Sequence, residues 1–257
     1  MISDPAFYAA AVPAVVLLGL SKGGFAGLGV LGTPLMALSI PPVQAAAVAL
    51  PILIVQDAFS VWVYRRQWDR ANLRVLLPGA VAGIAVAYLL AARVPDAAVA
   101  LVLGVISITF ALRRFLPARR SAPTPVPDVP TPPNRPAGLF WGAVAGFTSA
   151  VAHAGGPPFQ IYVLPQRLPR DLFVGTSVVF FAAVNLLKVP SYTALGQFTP
   201  GNLATSAALF PLAIASTWAG VWLVRRFSGE RFYDVVYALL FLLGCKLVWQ
   251  GVAWLAA

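Results

Sequence analysis

Hydrophobic residues run in long blocks along this chain, and charged residues concentrate in the short segments between the blocks. Five blocks approach the roughly 20 apolar residues that a helix needs to cross the hydrocarbon core of a bilayer. The blocks are Val43 to Val63, Leu73 to Ala92, Leu172 to Val189, Leu203 to Val224 and Val235 to Trp254. This pattern predicts an all-α polytopic membrane protein that is embedded in the lipid bilayer.

The charge pattern predicts where the loops lie. The chain is 60% hydrophobic and 10% charged, and its formal net charge is +10. A nucleic-acid-binding protein clusters its Lys and Arg on a solvated face, whereas 14 of the 18 basic residues here lie between apolar blocks. They are Arg65, Arg66, Arg70 and Arg74; Arg113, Arg114, Arg119, Arg120 and Arg135; Arg167 and Arg170; and Arg225, Arg226 and Arg231. Such segments are typical of cytoplasmic loops, so we expect a multi-pass protein of a bacterial inner membrane with no nucleic-acid partner.

A proline-rich segment divides the chain into two halves. Residues 117–136 hold eight prolines and no apolar periodicity, which predicts a cytoplasmic linker. The flanking halves, 1–116 and 137–257, resemble each other, since Asn185 follows Asp57 by 185 − 57 = 128 positions and glycine-proline motifs recur at a similar offset. Two matching halves are a common build for transporters.

The basic segments also predict how the halves are oriented. If all of these segments are cytoplasmic, each half makes three long crossings, and the two halves start on opposite sides. Residues 5–40 and 137–165 must then each leave and return on one side, as glycine-rich broken-helix hairpins. We therefore predict two inverted repeats, each a hairpin plus three transmembrane helices, with both chain ends periplasmic.

The turn of the first predicted hairpin holds Ser21, Lys22, Gly23 and Gly24. Glycine lets the backbone approach a ligand closely, although it costs roughly 1 kcal/mol per helical position relative to Ala. A helix start buried there offers N–H groups and partial positive charge to an anion. Lys22 adds a full charge, because a lysine at membrane depth usually faces a cavity. Two alternatives stay open: glycines that serve close helix packing, and a Lys22 that snorkels to the surface.

The matching turn in the second half contains His153, Gly155 and Gly156, followed by Pro157 and Pro158. Proline is tolerated in the first turn of a helix, so this run predicts a break followed by a helix start. His153 is the only histidine, and it could donate to a bound anion or relay a proton. A structural histidine that bonds a carbonyl is the alternative.

Two of the predicted spans carry polar side chains. Asp57 is an intramembrane carboxylate, which indicates proton coupling or a partner for a buried cation, and its repeat mate Asn185 belongs to the same predicted cavity. The alternative for Asp57 is an ion pair that fixes packing. Thr176 and Ser177 either line the cavity or bond within their own helix.

The remaining candidates carry less weight. Lys188 and Lys246 are weaker candidates, because Lys188 lies near a span end and can snorkel. One His, one Cys and no carboxylate cluster are too few ligands for a metal site, and nothing in the sequence indicates a cofactor.

With these residues identified, the chain resembles the TauE/SafE family of sulfite and organosulfonate exporters, also called the 4-toluene sulfonate uptake permeases. The resemblance is carried by GGFAGLGVLGTPLMALSIPPVQAAAVAL in the first half and by HAGGPPFQIYVLPQRLPRDLFVGTS in the second. It covers most of both halves and excludes the proline-rich linker. Ala49-Leu50 stands where the family often has a Thr-Ser pair, whereas the second half keeps Thr176-Ser177. The resemblance implies transport of sulfur-containing or related organic anions.

We therefore expect a secondary transporter, not an enzyme, that exports a small anion such as sulfite or a sulfonate by alternating access. The two hairpins would meet near the midplane around the anion, and a proton or sodium ion could couple the movement. A homo-oligomer is compatible with this interpretation. Two alternatives remain: a permease for a cation or neutral solute that uses Asp57, and a membrane-embedded interaction protein without transport.

Overall fold

The computed structural model describes most of the chain, and every regular element in the described part is a helix. The described residues are 1–24, 28–91, 95–115, 133–224, 241–242, 244–249 and 251–254. The helices are α1 (Pro5–Gly23), α2 (Gly32–Met36), α3 (Pro42–Tyr64), α4 (Arg70–Ala91), α5 (Asp96–Phe115), α6 (Arg135–Ala152), α7 (Gly156–Val163), α8 (Arg170–Ala194) and α9 (Pro200–Val224). Short 3₁₀ turns occupy Leu28–Leu31 and Leu164–Gln166, and residues 244–249 and 251–254 are also helical.

Five helices of the described part are long and apolar enough to cross a membrane. They are α1, α3, α4, α8 from Asp171 and α9 as far as Leu223. Four of the five predicted blocks are confirmed as α3, α4, α8 and α9. In the fifth, Val235 to Trp254, residues 241–242, 244–249 and 251–254 are described and helical, whereas the rest of that block and most of the predicted linker lie outside the described residues. The chain is thus a multi-pass, all-α membrane protein.

The first predicted hairpin consists of α1 and a shorter return arm. Asp4 caps α1 by accepting the Ala6 N–H at 2.9 Å, a role that suits its short carboxylate side chain. The return arm then runs back along α1, and near its end the Ser39 hydroxyl donates to the Ala6 carbonyl at 3.5 Å. With 19 residues, α1 is longer than the short helix expected from the sequence, and at 1.5 Å per residue it is roughly 28 Å long.

The second predicted hairpin has the same plan. Asn134 caps α6 by accepting the Ala137 N–H at 3.2 Å. After the turn at His153, α7 returns along α6, and the Tyr162 hydroxyl donates to the Asn134 carbonyl at 3.1 Å. The chain therefore comes back to the end from which α6 started.

Each hairpin packs against a helix from the other half of the chain, with backbone approaching backbone. α1 packs along α9, where a Cβ on Gly23 would lie 2.3 Å from the Gly220 carbonyl carbon. α6 packs along α4, where a Cβ on Gly146 would lie 2.3 Å from the Ala80 carbonyl oxygen. Both distances are far below van der Waals contact, so close packing through small residues, the alternative left open above, is one use of Gly23.

The two ends of the bundle differ in charge. At one end the Asn72 side chain donates to Gln166 at 2.8 Å, and the Asp69 N–H donates to Thr176 at 2.8 Å. The loops that these contacts join carry basic residues, so we call this the basic end. The residues are Arg65, Arg66, Arg70, Arg135 and Arg167. At the other end Gln44 donates to Asn202 at 3.0 Å, and we call it the uncharged end because no Lys or Arg lies in its described loop, residues 195–199.

α3 and α8 lie side by side in the middle of the bundle and run antiparallel. Tyr64, at the basic end of α3, packs with Val174 and Val178 near the start of α8. At the other end of the pair, Tyr192 of α8 packs with Ala46 and other residues from the first turns of α3. The polar side chains that the sequence singled out lie between these two clusters.

Candidate functional site

A buried ion pair joins the turn of the first hairpin to α3. The Lys22 ammonium donates to one carboxylate oxygen of Asp57, and the Asn185 amide donates to the other at 2.5 Å. The Lys22 and Asp57 side chains are only 12% and 4% exposed. Lys22 stands in the last turn of α1, where the helix dipole favours a cation. Asp57 is therefore the partner of a buried cation, one of the two roles that the sequence allowed.

Two tyrosines fix how far each hairpin reaches. The Tyr64 hydroxyl donates to the Gly23 carbonyl at 3.0 Å, which holds the first turn near the basic end of α3. The Tyr192 hydroxyl donates to the Ala150 carbonyl at 2.8 Å, which holds the second hairpin near the uncharged end of α8. Each hairpin thus reaches towards the end opposite to its own start, and the two turns overlap in depth.

The second turn is built around His153, which has the left-handed backbone conformation with φ of 52°. This conformation costs a non-glycine residue roughly 1–2 kcal/mol. The His153 N–H donates to the Ser149 carbonyl at 3.0 Å and closes the end of α6. Its side chain bonds the Ala46 carbonyl through Nε2 at 2.9 Å, while Nδ1 lies 2.7 Å from the Lys188 ammonium. His153 therefore satisfies the structural alternative, and it also faces a buried cation.

The two turns border a pair of adjoining cavities, each of about 60 Å³. The first is lined by Ser21 and Lys22 from one hairpin and by His153 and Gly156 from the other. The second shares Ser21, Lys22 and Gly156 and adds Gly24 and Ser177. The Phe181 ring lines both, and its centroid lies 5.5 Å from the Lys22 ammonium. The structure thus brings most of the predicted site residues to one place.

The predicted helix start at Gly23-Gly24 is wrong. Gly23 is the last residue of α1, and Gly24 follows it with φ of 128° and donates its N–H to the Ser21 carbonyl at 3.2 Å. These residues therefore lie at a helix C-terminus, with partial negative charge. The predicted start in the second half is confirmed, because α7 begins at Gly156. Gly155 packs closely, and a Cβ there would lie 2.7 Å from the Ala145 carbonyl oxygen.

The remaining predicted residues separate into two groups. Ser177 lines a cavity, whereas the Thr176 hydroxyl accepts from the Asp69 N–H and donates to the Leu172 carbonyl at 2.6 Å, away from both cavities. Lys188, ranked low from the sequence, is fully buried beside His153. Lys246, the other low-ranked lysine, is exposed and lines none of the three cavities.

A larger cavity of about 240 Å³ lies towards the uncharged end of the bundle. Its lining is mostly apolar and includes Leu195 and Gln197 from the loop after α8. Lys188 and Tyr192 also line it, so this cavity comes close to the second turn. The three cavities follow one another from the uncharged end towards the basic end.

Comparison with known proteins gives one match. The family model described as sulfite exporter TauE/SafE matches residues 11–247, nearly the whole chain. No curated protein and no solved structure matches the chain. The matched range includes most of the first hairpin, all of the second and the two small cavities between them.

Proposed function

This chain belongs to the TauE/SafE sulfite exporter family, and we propose that it is a secondary transporter that exports a small anion such as sulfite or a sulfonate across a bacterial inner membrane. One observation carries the proposal beyond family membership. The turns of two hairpins border a pair of cavities, and Lys22 and His153 line the first of them. When Asp57 does not neutralise it, the positive charge of Lys22 in such a place suits a desolvated anion better than a neutral solute.

The anion would bind between the two turns. Lys22 would face it, and Ser21 and Ser177 are hydroxyl donors in the lining of the cavities. His153 lines the first cavity with both ring nitrogens already bonded, so it would act through Lys188. Gly156 begins α7, so the partial positive charge of that helix start adds to the attraction. Gly24 lines the second cavity and would allow close backbone approach, and we place Gly23, Gly155 and Thr176 outside the contacts to substrate.

The Lys22–Asp57 pair supports coupling of anion movement to a proton. As long as Asp57 holds the Lys22 ammonium, the two charges cancel. Protonation of Asp57 leaves Lys22 free to face an anion, so anion and proton bind together more readily than the anion alone. Asn185 donates to the second oxygen of Asp57 and keeps the carboxyl group in place.

Several contacts support two inverted repeats, 1–116 and 137–257, joined by the linker 117–136. Tyr64 and Tyr192 are 192 − 64 = 128 positions apart, the same spacing as Asp57 and Asn185, and each bonds a hairpin carbonyl near the turn. α3 and α8 would be repeat mates, and they run antiparallel. Movement of each hairpin with its partner helix would then alternate access from the two ends.

The cation permease is less well supported. Both carboxylate oxygens of Asp57 already accept hydrogen bonds, one of them from an ammonium group. A transported cation would have to displace Lys22. A flux measurement distinguishes a membrane-embedded interaction protein, which transports nothing, from the anion transporter and the cation permease.

The proposal is tested with purified protein in proteoliposomes. Vesicles loaded with unlabelled sulfite should accumulate radiolabelled sulfite transiently, and excess methanesulfonate should suppress the accumulation. Cation-stimulated uptake that no anion inhibits would favour the permease. Absence of flux for sulfite, thiosulfate, methanesulfonate and acetate alike would favour the interaction protein. Replacing sodium with choline, and imposing a pH gradient in either direction, distinguishes the coupling ions.

A further inference from the structure

Lys188 is a buried ammonium group whose described contacts are all neutral acceptors. It lies on α8 with 0% of the residue exposed. Its Nζ donates to the Ser149 carbonyl at 3.1 Å and to the Ser149 hydroxyl at 3.1 Å, and it lies 2.7 Å from His153 Nδ1. An ammonium group has three hydrogens to donate, so these contacts use all of them.

The hydrogen bonds of His153 fix its tautomer. A carbonyl oxygen accepts only, so the Nε2 atom that lies 2.9 Å from the Ala46 carbonyl carries the hydrogen. Nδ1 then has a lone pair and accepts from Lys188. A neutral imidazole between the Ala46 carbonyl and the Lys188 Nζ explains both distances, so Lys188 is the member of the pair that would carry a positive charge.

The charge of Lys188 has no counter-ion among its described hydrogen-bond partners. The carboxylate of Asp57 is already bound to Lys22 and Asn185. Among the charged groups described around the three cavities, the charges of Lys22 and Asp57 therefore cancel. The positive charge of Lys188 then remains without an opposite charge to balance it. A buried charge without a partner is costly, and such groups in transporters usually face the path of a substrate.

Lys188 also stands at a boundary between cavities. It lines the cavity of about 240 Å³ that lies towards the uncharged end. Its partners Ser149 and His153 line the first of the smaller cavities, which holds about 60 Å³. This group of three side chains therefore borders both spaces.

We infer that Lys188, His153 and Ser149 form a second anion site, where the transported anion is held as it passes between the large cavity and the hairpin turns. The inference rests on the proposed function. An anion in this site takes the place of the Ser149 hydroxyl or of His153 as an acceptor of one Lys188 hydrogen. The repeat mate of Lys188 is Ser60, at 188 − 128 = 60, which is uncharged and donates to the Gln56 carbonyl at 2.9 Å. Among the described residues, the matching position in the first half therefore holds no second lysine of this kind.

Calorimetric titration of the purified full-length protein with sulfite tests the inference. Lys188→Met and Lys188→Gln should each weaken binding about 10- to 100-fold, the usual effect of removing a charged hydrogen-bond partner. Lys188→Arg should retain part of the affinity. Lys246→Met, the same substitution at an exposed lysine, is the matched control and should bind as the wild type does.

A double variant that restores the lost positive charge distinguishes a role of Lys188 in anion binding from a structural role. Adding Asp57→Asn to Lys188→Met frees Lys22 and restores one positive charge, so affinity should partly return. Unchanged affinity in both Lys188→Met and Lys188→Gln would overturn the inference, and so would a double variant that folds but regains nothing. If wild-type protein shows no anion flux in proteoliposomes, the proposed function itself fails. Normal wild-type flux together with unaltered Lys188 variants overturns only the second site.

Discussion

The two hairpin turns share a plan and differ in charge. In the first, Lys22 is bound to a carboxylate, and the glycine at the turn packs directly on the α9 backbone. In the second, His153 has a left-handed backbone, and the neighbouring Lys188 bonds only neutral acceptors. The same architecture thus holds one lysine that is paired with a carboxylate and one that contacts only neutral acceptors. Under the proposed function the two halves would divide the work: the second would attract the anion, and the first would couple its binding to a proton.

The largest expected effect comes from removing the charge at the first turn. Lys22→Met leaves the Asp57 carboxylate without its cation and facing the substrate, so sulfite transport should fall about 100-fold or more, because truncating one partner of a buried charge pair is costly. Lys22→Met/Asp57→Asn removes both charges and should recover part of the activity. Both are measured as initial flux in proteoliposomes. Near-normal flux in the single variant would show that the anion does not pass Lys22.

The second prediction concerns pH. The proposal couples anion movement to a proton on Asp57, so wild-type transport should respond to a pH gradient across the membrane. Asp57→Asn has no carboxyl group to carry that proton, so its transport should lose most of the response. Methanesulfonate is the suitable substrate, since its own charge stays constant as the pH changes. A wild-type response to the gradient in Asp57→Asn would assign the coupling to another group.

Glycine substitutions compare the packing of the two turns. A Cβ on Gly23 would lie 2.3 Å from the Gly220 carbonyl carbon, whereas a Cβ on Gly156 would meet nothing closer than 3.9 Å. Gly23→Ala should therefore lower the free energy of unfolding by about 1–3 kcal/mol, the usual cost of overpacking. Gly156→Ala should leave it nearly unchanged. Unfolding in detergent measures the free energy of unfolding of both variants. Equal values would contradict the close packing of α1 on α9.

The smallest effects come from the two tyrosines. Tyr64→Phe and Tyr192→Phe each remove one hydrogen bond to a hairpin carbonyl. Each should lower the free energy of unfolding by about 1 kcal/mol, the net value of a typical hydrogen bond. Similar losses support equivalent roles in the two repeats. A loss at only one position would argue that the two hairpins are not related in this way.

The apolar spans were predictable because the length of an apolar block is a local property of the sequence. The depth of an individual residue within a span was not predictable from the sequence. Lys188 falls at the end of the block Leu172 to Val189 and was therefore ranked as a snorkelling lysine, but α8 continues to Ala194 and buries it. The residues after Pro190 are uncharged and are equally compatible with a loop, so the sequence does not indicate that the helix continues.

Glycine content alone also could not decide whether Gly23-Gly24 ends one helix or starts the next. Glycine-rich segments occur both where helices start and where they end, so Gly23-Gly24 was assigned to a start. A lysine in the last turn followed by glycine is typical of a helix end, and Lys22-Gly23-Gly24 carries that signal. The ion pair of Lys22 with Asp57 joins residues 35 positions apart, and only the packing of α1 on α3 brings them together.

The affinity for sulfite across a series of charge variants tests the central claim most directly. Calorimetry at one mildly alkaline pH would compare the wild type with Lys22→Met, Lys188→Met, Asp57→Asn and Lys22→Met/Asp57→Asn. The account predicts that affinity follows the net charge of Lys22, Asp57 and Lys188. Asp57→Asn should bind most tightly, the wild type and the Lys22/Asp57 double variant should be intermediate, and both single lysine variants should bind weakly. Equal affinity in all five proteins would contradict it.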